Sequence, residues 1–347
     1  MMSNLQIGLA VLGGLVLAAL VAHSTWTARK NAPRRAQPAP EQRDTAPEPQ
    51  EPILDDTDLA APDLPRPTTL RKTSLDPLID VIATVALDPA SPVVSGDAAI
   101  AASPATRRAG TKPYAIEGYN LSSQVWEPLA AGQRYGGFQA GVQLANRSGA
   151  LNEIEYSEFV VKTQSFADAL NATPEFPEMR DEVARARELD QFASAHDAQL
   201  GFTIRAKSAS WSPGYVHQCA ARLGFVPGAV PGRMVLPASV EGLAPVLVLA
   251  FDSQAALAED PEQSAIRELG LHLDVAHVDR NEQPFVRMRD AAFALAREMD
   301  GVVTDDDGQA LEARTMDLIG QELESLYNTM EQRDLAAGSV LARRLFS

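Results

Sequence analysis

From Leu5 to Ala22 the chain carries no charged residue, and Gln6 alone is strongly polar. As a helix rising 1.5 Å per residue this run makes roughly 27 Å, close to the hydrocarbon thickness of a bilayer. Trp26 follows at headgroup depth, then Arg29, Lys30, Arg34 and Arg35, whereas no Lys or Arg precedes the run. The asymmetry predicts a signal-anchor over residues 1–30 with the N-terminus outside and the bulk of the chain in the cytoplasm. A cleaved signal peptide needs a basic start and a small-residue cleavage site. Met1–Leu5 has no base, and His23–Arg35 is bulky and basic.

Periodic order returns late in the chain. Residues 151–172 and 179–197 read as helices, the second with Val183, Ala186, Leu189, Phe192 and Ala193 on one stripe. Leu200, Phe202, Ile204 and Ala206 alternate with Gly201, Thr203 and Arg205, the pattern of a half-buried strand. Ser212-Pro213 is a helix start, Val216, Cys219, Ala220 and Leu223 make its stripe, and Gly224 ends it. Arg233–Pro237 and Pro245–Phe251 read as strands, the second apolar at both parities, and Leu269–Val278 alternates again. Pro284 opens a helix with Phe285, Met288, Ala292, Leu295 and Met299 on one face. Val302-Val303 begins a short strand, and a last helix presents Met316, Ile319, Leu323, Leu326 and Met330. The order β-α-β-β-β-α-β-α predicts an α+β fold, a mainly antiparallel sheet with helices packed on one face, preceded by a transmembrane helix and a disordered linker.

The linker rests on composition. No aromatic residue occurs between Trp26 and Tyr114, and 14 of the 24 prolines fall between Pro33 and Pro113. Such a stretch buries too little apolar area to offset its ordering entropy. Residues 31–112 are therefore expected to form a Pro/Ala-rich disordered linker, with the apolar patch Leu78–Leu87 as plain spacer. Residues 113–198 form a segment of short strands and helices, and residues 199–347 a C-terminal globule. No internal repeat is visible.

Charge narrows the partners. Residues 113–347 hold 34 acids against 19 bases. An acidic domain repels phosphates, so no nucleic-acid partner is expected. Cys219 is the sole cysteine. It forms no disulfide within the chain and reads as a small core residue.

Signatures of catalysis are absent. There is no G-x-S-x-G, P-loop or C-x-x-C, and Gly136–Gly141 has the wrong spacing for a dinucleotide fingerprint. Asp305–Gly308 resembles a calcium loop, but Val303 and Arg314 stand at ligand positions, so a polar turn is expected. His272 and Asp274 share a strand face and His277 points away, so no metal site is expected. The chain reads as a non-enzyme without cofactors.

Alternation assigns Leu200, Phe202, Leu271 and Leu273 to the helix side of the sheet. Thr203, Arg205, His272 and Asp274 then fall on the opposite, free face. Met234 with Leu247, Leu249 and Phe251 is expected to supply that face with an apolar floor, and a free sheet face is either solvated or a docking surface.

Two stretches carry a family resemblance. Ala22-His23-Ser24-Thr25-Trp26-Thr27-Ala28-Arg29-Lys30 resembles the membrane exit of ZipA proteins, and Ala294–Asp306 resembles their last helix–turn–strand signature. The order of anchor, Pro-rich linker and C-terminal globule is also similar. The resemblance covers residues 1–35 and about 199–331. It implies a division protein of the bacterial inner membrane, acting in septum assembly, that tethers FtsZ polymers to the cytoplasmic membrane through Leu5–Ala22. It also implies that the free sheet face is the groove for the C-terminal tail peptide of FtsZ. The alternative is a membrane-anchored envelope scaffold whose globule binds a different protein.

Overall fold

A computed structural model describes residues 33–36, 75–240, 242–260, 263–305 and 307–347. The chain forms two compact units. The expected anchor lies outside the described residues, and among these no helix is long and apolar enough to cross a membrane.

The N-terminal unit begins inside the expected linker. Asp80–Leu87 is a central strand, β1, followed by helix α1 (Gly96–Ala102), strands β2 (Lys112–Asn120) and β3 (Arg134–Gln143), helix α2 (Glu153–Ala169), strand β4 (Ala172–Glu175) and helix α3 (Met179–His196). Residues 75–112 are thus folded, which corrects both the linker boundary and the segment expected to start at 113. The reason is local alternation: Val81, Ala83 and Val85 are buried while Thr84 and Ala86 are exposed. The aromatics they pack against come from later in the chain, with Phe138, Tyr135 and Phe166 closing one cluster around Val85. Phe138 and Phe166 meet edge to face at 5.2 Å between ring centres, a favoured aromatic geometry. Helix α2 starts on a capping box in which Asn152 accepts from the Glu155 amide and the Glu155 side chain accepts from the Asn152 amide.

The C-terminal unit follows the expected order closely. Its elements are β5 (Gln199–Ala206), α4 (Pro213–Arg222), β6 (Arg233–Leu236), β7 (Leu247–Ala250), β8 (Glu268–Asp274), α5 (Pro284–Met299), β9 (Gly301–Thr304) and α6 (Ala313–Glu331), with the start of α7 (Val340–Leu345); the last four residues, Arg344–Ser347, belong to the N-terminal unit. Ser212 caps α4 by accepting from the Tyr215 amide, with Pro213 in the first turn. Helix α5 buries Phe285, Met288, Ala292, Leu295 and Met299 and ends on Asp300 in the left-handed region (φ 56°).

The sheet of this unit runs β6-β7-β8-β5-β9, with Val226–Pro227 paired outside β6, every pairing antiparallel. Its buried parity is Phe202, Ile204, Leu269, Leu271, Leu273, Met234, Leu236, Leu247 and Leu249. Helix α5 packs against β9, β5 and β8, with α4 beside it.

The two units share one topology. In the N-terminal unit the spatial order is β2-β3-β1-β4, again all antiparallel. In the C-terminal unit β7-β8-β5-β9 repeats it, with α1 matching α4, α2 matching α5 and α3 matching α6 in chain order. Even the edge extension recurs: Arg108–Ala109 pairs with β2 as β6 pairs with β7. The repeat is one of connectivity, which explains why the sequence shows none: a sheet order needs only a pattern of apolar positions, not particular residues.

The other end of the expected linker is also ordered. Arg34 makes a parallel bridge with Trp211 of the C-terminal unit. Its amide donates to the Ser210 carbonyl at 2.7 Å, and the Ser212 amide donates to the Arg34 carbonyl at 2.9 Å. The Arg34 guanidinium pairs with Asp300 at 3.0 Å.

Candidate functional site

The candidate site is the face of the C-terminal sheet opposite α5. It is assembled from alternate residues of four strands. In one row Val235 of β6 faces Val248 of β7, then His272 of β8, then Gly201 of β5. In the next, Arg233, Ala250, Gly270 and Thr203 line up the same way. Arg205 and Glu268 form an ion pair across β5 and β8 at 3.3 Å. Three of the central positions are Gly or Ala, so the floor lies close to the backbone. The His272 ring folds over one of them, since a Cβ at Gly270 would sit 2.6 Å from His272 Nε2.

Around this floor lies a shallow concavity of ≈ 460 Å³ bordered by Gln199, Arg233, Val248, Ala250, His272 and Asp274. Arg233 and His272 are exposed, and Val248 and Ala250 are half-buried. An apolar strip with the Arg233 guanidinium and the Asp274 carboxylate at its border can hold an extended segment through contact with its side chains and through polar groups at the rim.

Thr203, Arg205, His272 and Asp274 occupy this face together, as alternation predicts. Met234, Leu247, Leu249 and Phe251 do not. The first three are 1%, 1% and 0% exposed on the helix side, and Phe251 is 9% exposed with its ring against His217. The correction follows from register: Leu249 pairs with Leu271 and Met234 with Leu249, and all three lie on the buried face of the sheet. Val235, Val248 and Ala250 take the place assigned to the leucines. Periodicity had no means of choosing, because Val246–Phe251 is apolar at both parities.

His277 is a second correction. β8 ends at Asp274 and the chain turns through a single 3-10 turn, Val275–His277, which brings His277 Nδ1 to 3.6 Å from Asp274. Among the described residues no group of three His, Cys, Asp or Glu side chains is placed to hold a metal ion. Cys219 is buried on α4, and burial pushes its thiol up to about 11.

No family model matches the chain, and no curated protein matches it. Among solved structures, berberine bridge enzyme from Eschscholzia californica aligns over 77% of this chain at 10% identity with a TM-score of 0.15. The chain spans 54% of that protein's length. Similarity at that level carries no argument about fold or chemistry.

Proposed function

We propose that the chain is a non-enzymatic adaptor of bacterial cell division, anchored in the cytoplasmic membrane by Leu5–Ala22, whose C-terminal unit binds the tail peptide of FtsZ. The observation that carries the reading is the asymmetry of the C-terminal sheet. Helix α5 covers one face, while the other presents the Val235–Val248–Ala250 strip with charged groups around it. Such a surface suits a short extended peptide with one or two apolar anchors, whose contribution dominates binding while the rim sets register. The membrane and FtsZ parts of the reading rest on the apolar run, the bases that follow it, and the resemblance of Ala22–Lys30 and Ala294–Asp306 to ZipA proteins.

The test is a titration of a labelled FtsZ tail peptide against the chain. Replacing Val248 by Asp should weaken binding by roughly thirtyfold or more, the loss of one buried anchor of about 2 kcal/mol, with the fold intact. Failure of the unmodified chain to bind the peptide would sink the FtsZ reading.

A further inference from the structure

We propose that the N-terminal unit carries a separate recognition site for a short segment made of an arginine followed by two apolar residues, and that the chain fills this site in cis with its own last residues, Arg344–Ser347. In the N-terminal sheet, Val81, Ala83 and Val85 of β1 face the core with Phe138 and Val142 of β3. Asp80 and Gln143, direct cross-strand partners, therefore belong to the opposite face. By strand order this is the same face of the same fold as the candidate site of the C-terminal unit.

Both side chains are fully covered, at 0% and 1% exposure, and both are engaged by the tail. Asp80 Oδ1 accepts from Arg344 Nη2 at 2.6 Å and Asp80 Oδ2 from Arg344 Nη1 at 3.0 Å. Gln143 Nε2 donates to the Arg344 carbonyl at 2.8 Å. The Arg147 amide donates to the Ser347 carbonyl at 3.2 Å. Leu345 and Phe346 are each 1% exposed.

Within four consecutive residues one guanidinium and two backbone carbonyls are thus engaged, and the two apolar side chains between them are buried. The two-pronged contact on a carboxylate selects arginine over lysine, because only the planar fork offers two parallel donors. The turn that leads into β1 braces the carboxylate: the Asp76 amide donates to Asp80 Oδ2 at 2.8 Å. A carboxylate left buried without its cation is costly, so the site favours being filled. A matching segment supplied from outside, including the tail of a second copy, has the chemistry to take the same place once the cis tail is released. The proposal does not rest on FtsZ binding, which concerns the other unit.

The probe is a fluorescent, N-acetylated peptide of residues 340–347. The unmodified full chain should not bind it, because the site is filled. The full chain carrying Arg344→Ala and Phe346→Ala should bind it with one site per chain. Arg344→Lys in the peptide, or Asp80→Asn in the chain, should weaken that binding at least tenfold. A folded double variant that fails to bind, or that binds the lysine peptide equally well, overturns the proposal. Should the double variant not fold, a full chain with a protease site inserted after Ser339 is cut in the folded state. Exchange of its severed tail for the labelled peptide supports the site, and absence of exchange overturns it.

Discussion

Arg344 closes a two-pronged ion pair on Asp80, 264 positions earlier in the chain, at 2.6 and 3.0 Å. The contact joins the chain's end to the first strand of the N-terminal unit. Asp80 is fully covered, and its burial pushes the carboxyl above its ordinary value while Arg344 draws it back. Removing the cation alone leaves a buried carboxylate unpaired. Arg344→Ala should therefore destabilise the N-terminal unit by about 3 kcal/mol, and the double change Arg344→Met with Asp80→Leu by much less. Hydrogen exchange of the β1 amides measures both. Equal losses in the single and double variants would show that the ion pair is not the cause.

The parity of β7 gives a second prediction. Leu249 is 0% exposed on the buried face of the sheet, so Leu249→Ala should cost on the order of 2–4 kcal/mol of stability. Val248, one position earlier, is half-buried on the open face, and Val248→Ala should cost under about 1 kcal/mol. The peptide titration should show the reverse ranking once each variant is confirmed folded. Denaturation midpoints that reverse the stability order would place β7 one residue out of register.

These two cases show what was legible in the sequence. Helices α2, α3, α5 and α6 were readable because long apolar stripes repeat at helical spacing, and the alternating strands β5 and β8 declared their faces. β7 did not, since Val246–Phe251 is apolar throughout and its face is set by pairing with Leu271 and His272. β1 was missed for another reason. Asp80–Leu87 lies in a Pro-rich stretch with no aromatic residue of its own. Its partners Tyr135, Phe138 and Phe166 arrive 50 or more residues later, so local composition resembles a linker while the tertiary environment makes a core strand. The Arg344 contact was equally invisible, since nothing near either residue signals a pairing so far apart.

Cys219 offers a test by pH. Burial raises its thiol from 9.0 to about 11 in the folded chain. At pH 8 the thiol is covered and protonated, so iodoacetamide should modify it far more slowly than in denaturant. A folded value above the unfolded one contributes stability that is present below pH 9 and lost as pH rises through about 11. Stability of the C-terminal unit should fall between these values, and Cys219→Ala should flatten that part of the curve. Rapid alkylation of the folded chain at pH 8 would show that α4 does not hold the thiol inside.

Arg34 bears on where the C-terminal unit sits. With Leu5–Ala22 in the bilayer, as proposed, only residues 23–33 lie between the membrane and the bridge to Trp211. At about 3.5 Å per residue they reach no more than about 40 Å. A coil running from residue 23 to 74 would permit several times that distance when stretched. On that proposal the bridge keeps the C-terminal unit within the shorter reach of the membrane surface. The bridge has two main-chain hydrogen bonds, so it is testable at single amides. Arg34→Pro removes the N–H that donates to Ser210 and should loosen the segment. Hydrogen exchange of the full chain in nanodiscs should then show the Ser212 amide, protected by the Arg34 carbonyl in the parent, becoming fast. Arg34→Ala keeps both main-chain bonds and loses the side-chain contacts with Asp300, an ion pair with both partners over one-third exposed, and with the Tyr215 hydroxyl, so it should have a smaller effect. A dye on an Asp290→Cys variant should transfer energy efficiently to labelled lipid in the parent and less so in the Arg34→Pro chain. Fast exchange at Ser212 in the parent, or transfer unchanged by Arg34→Pro, would return the unit to a long, free tether.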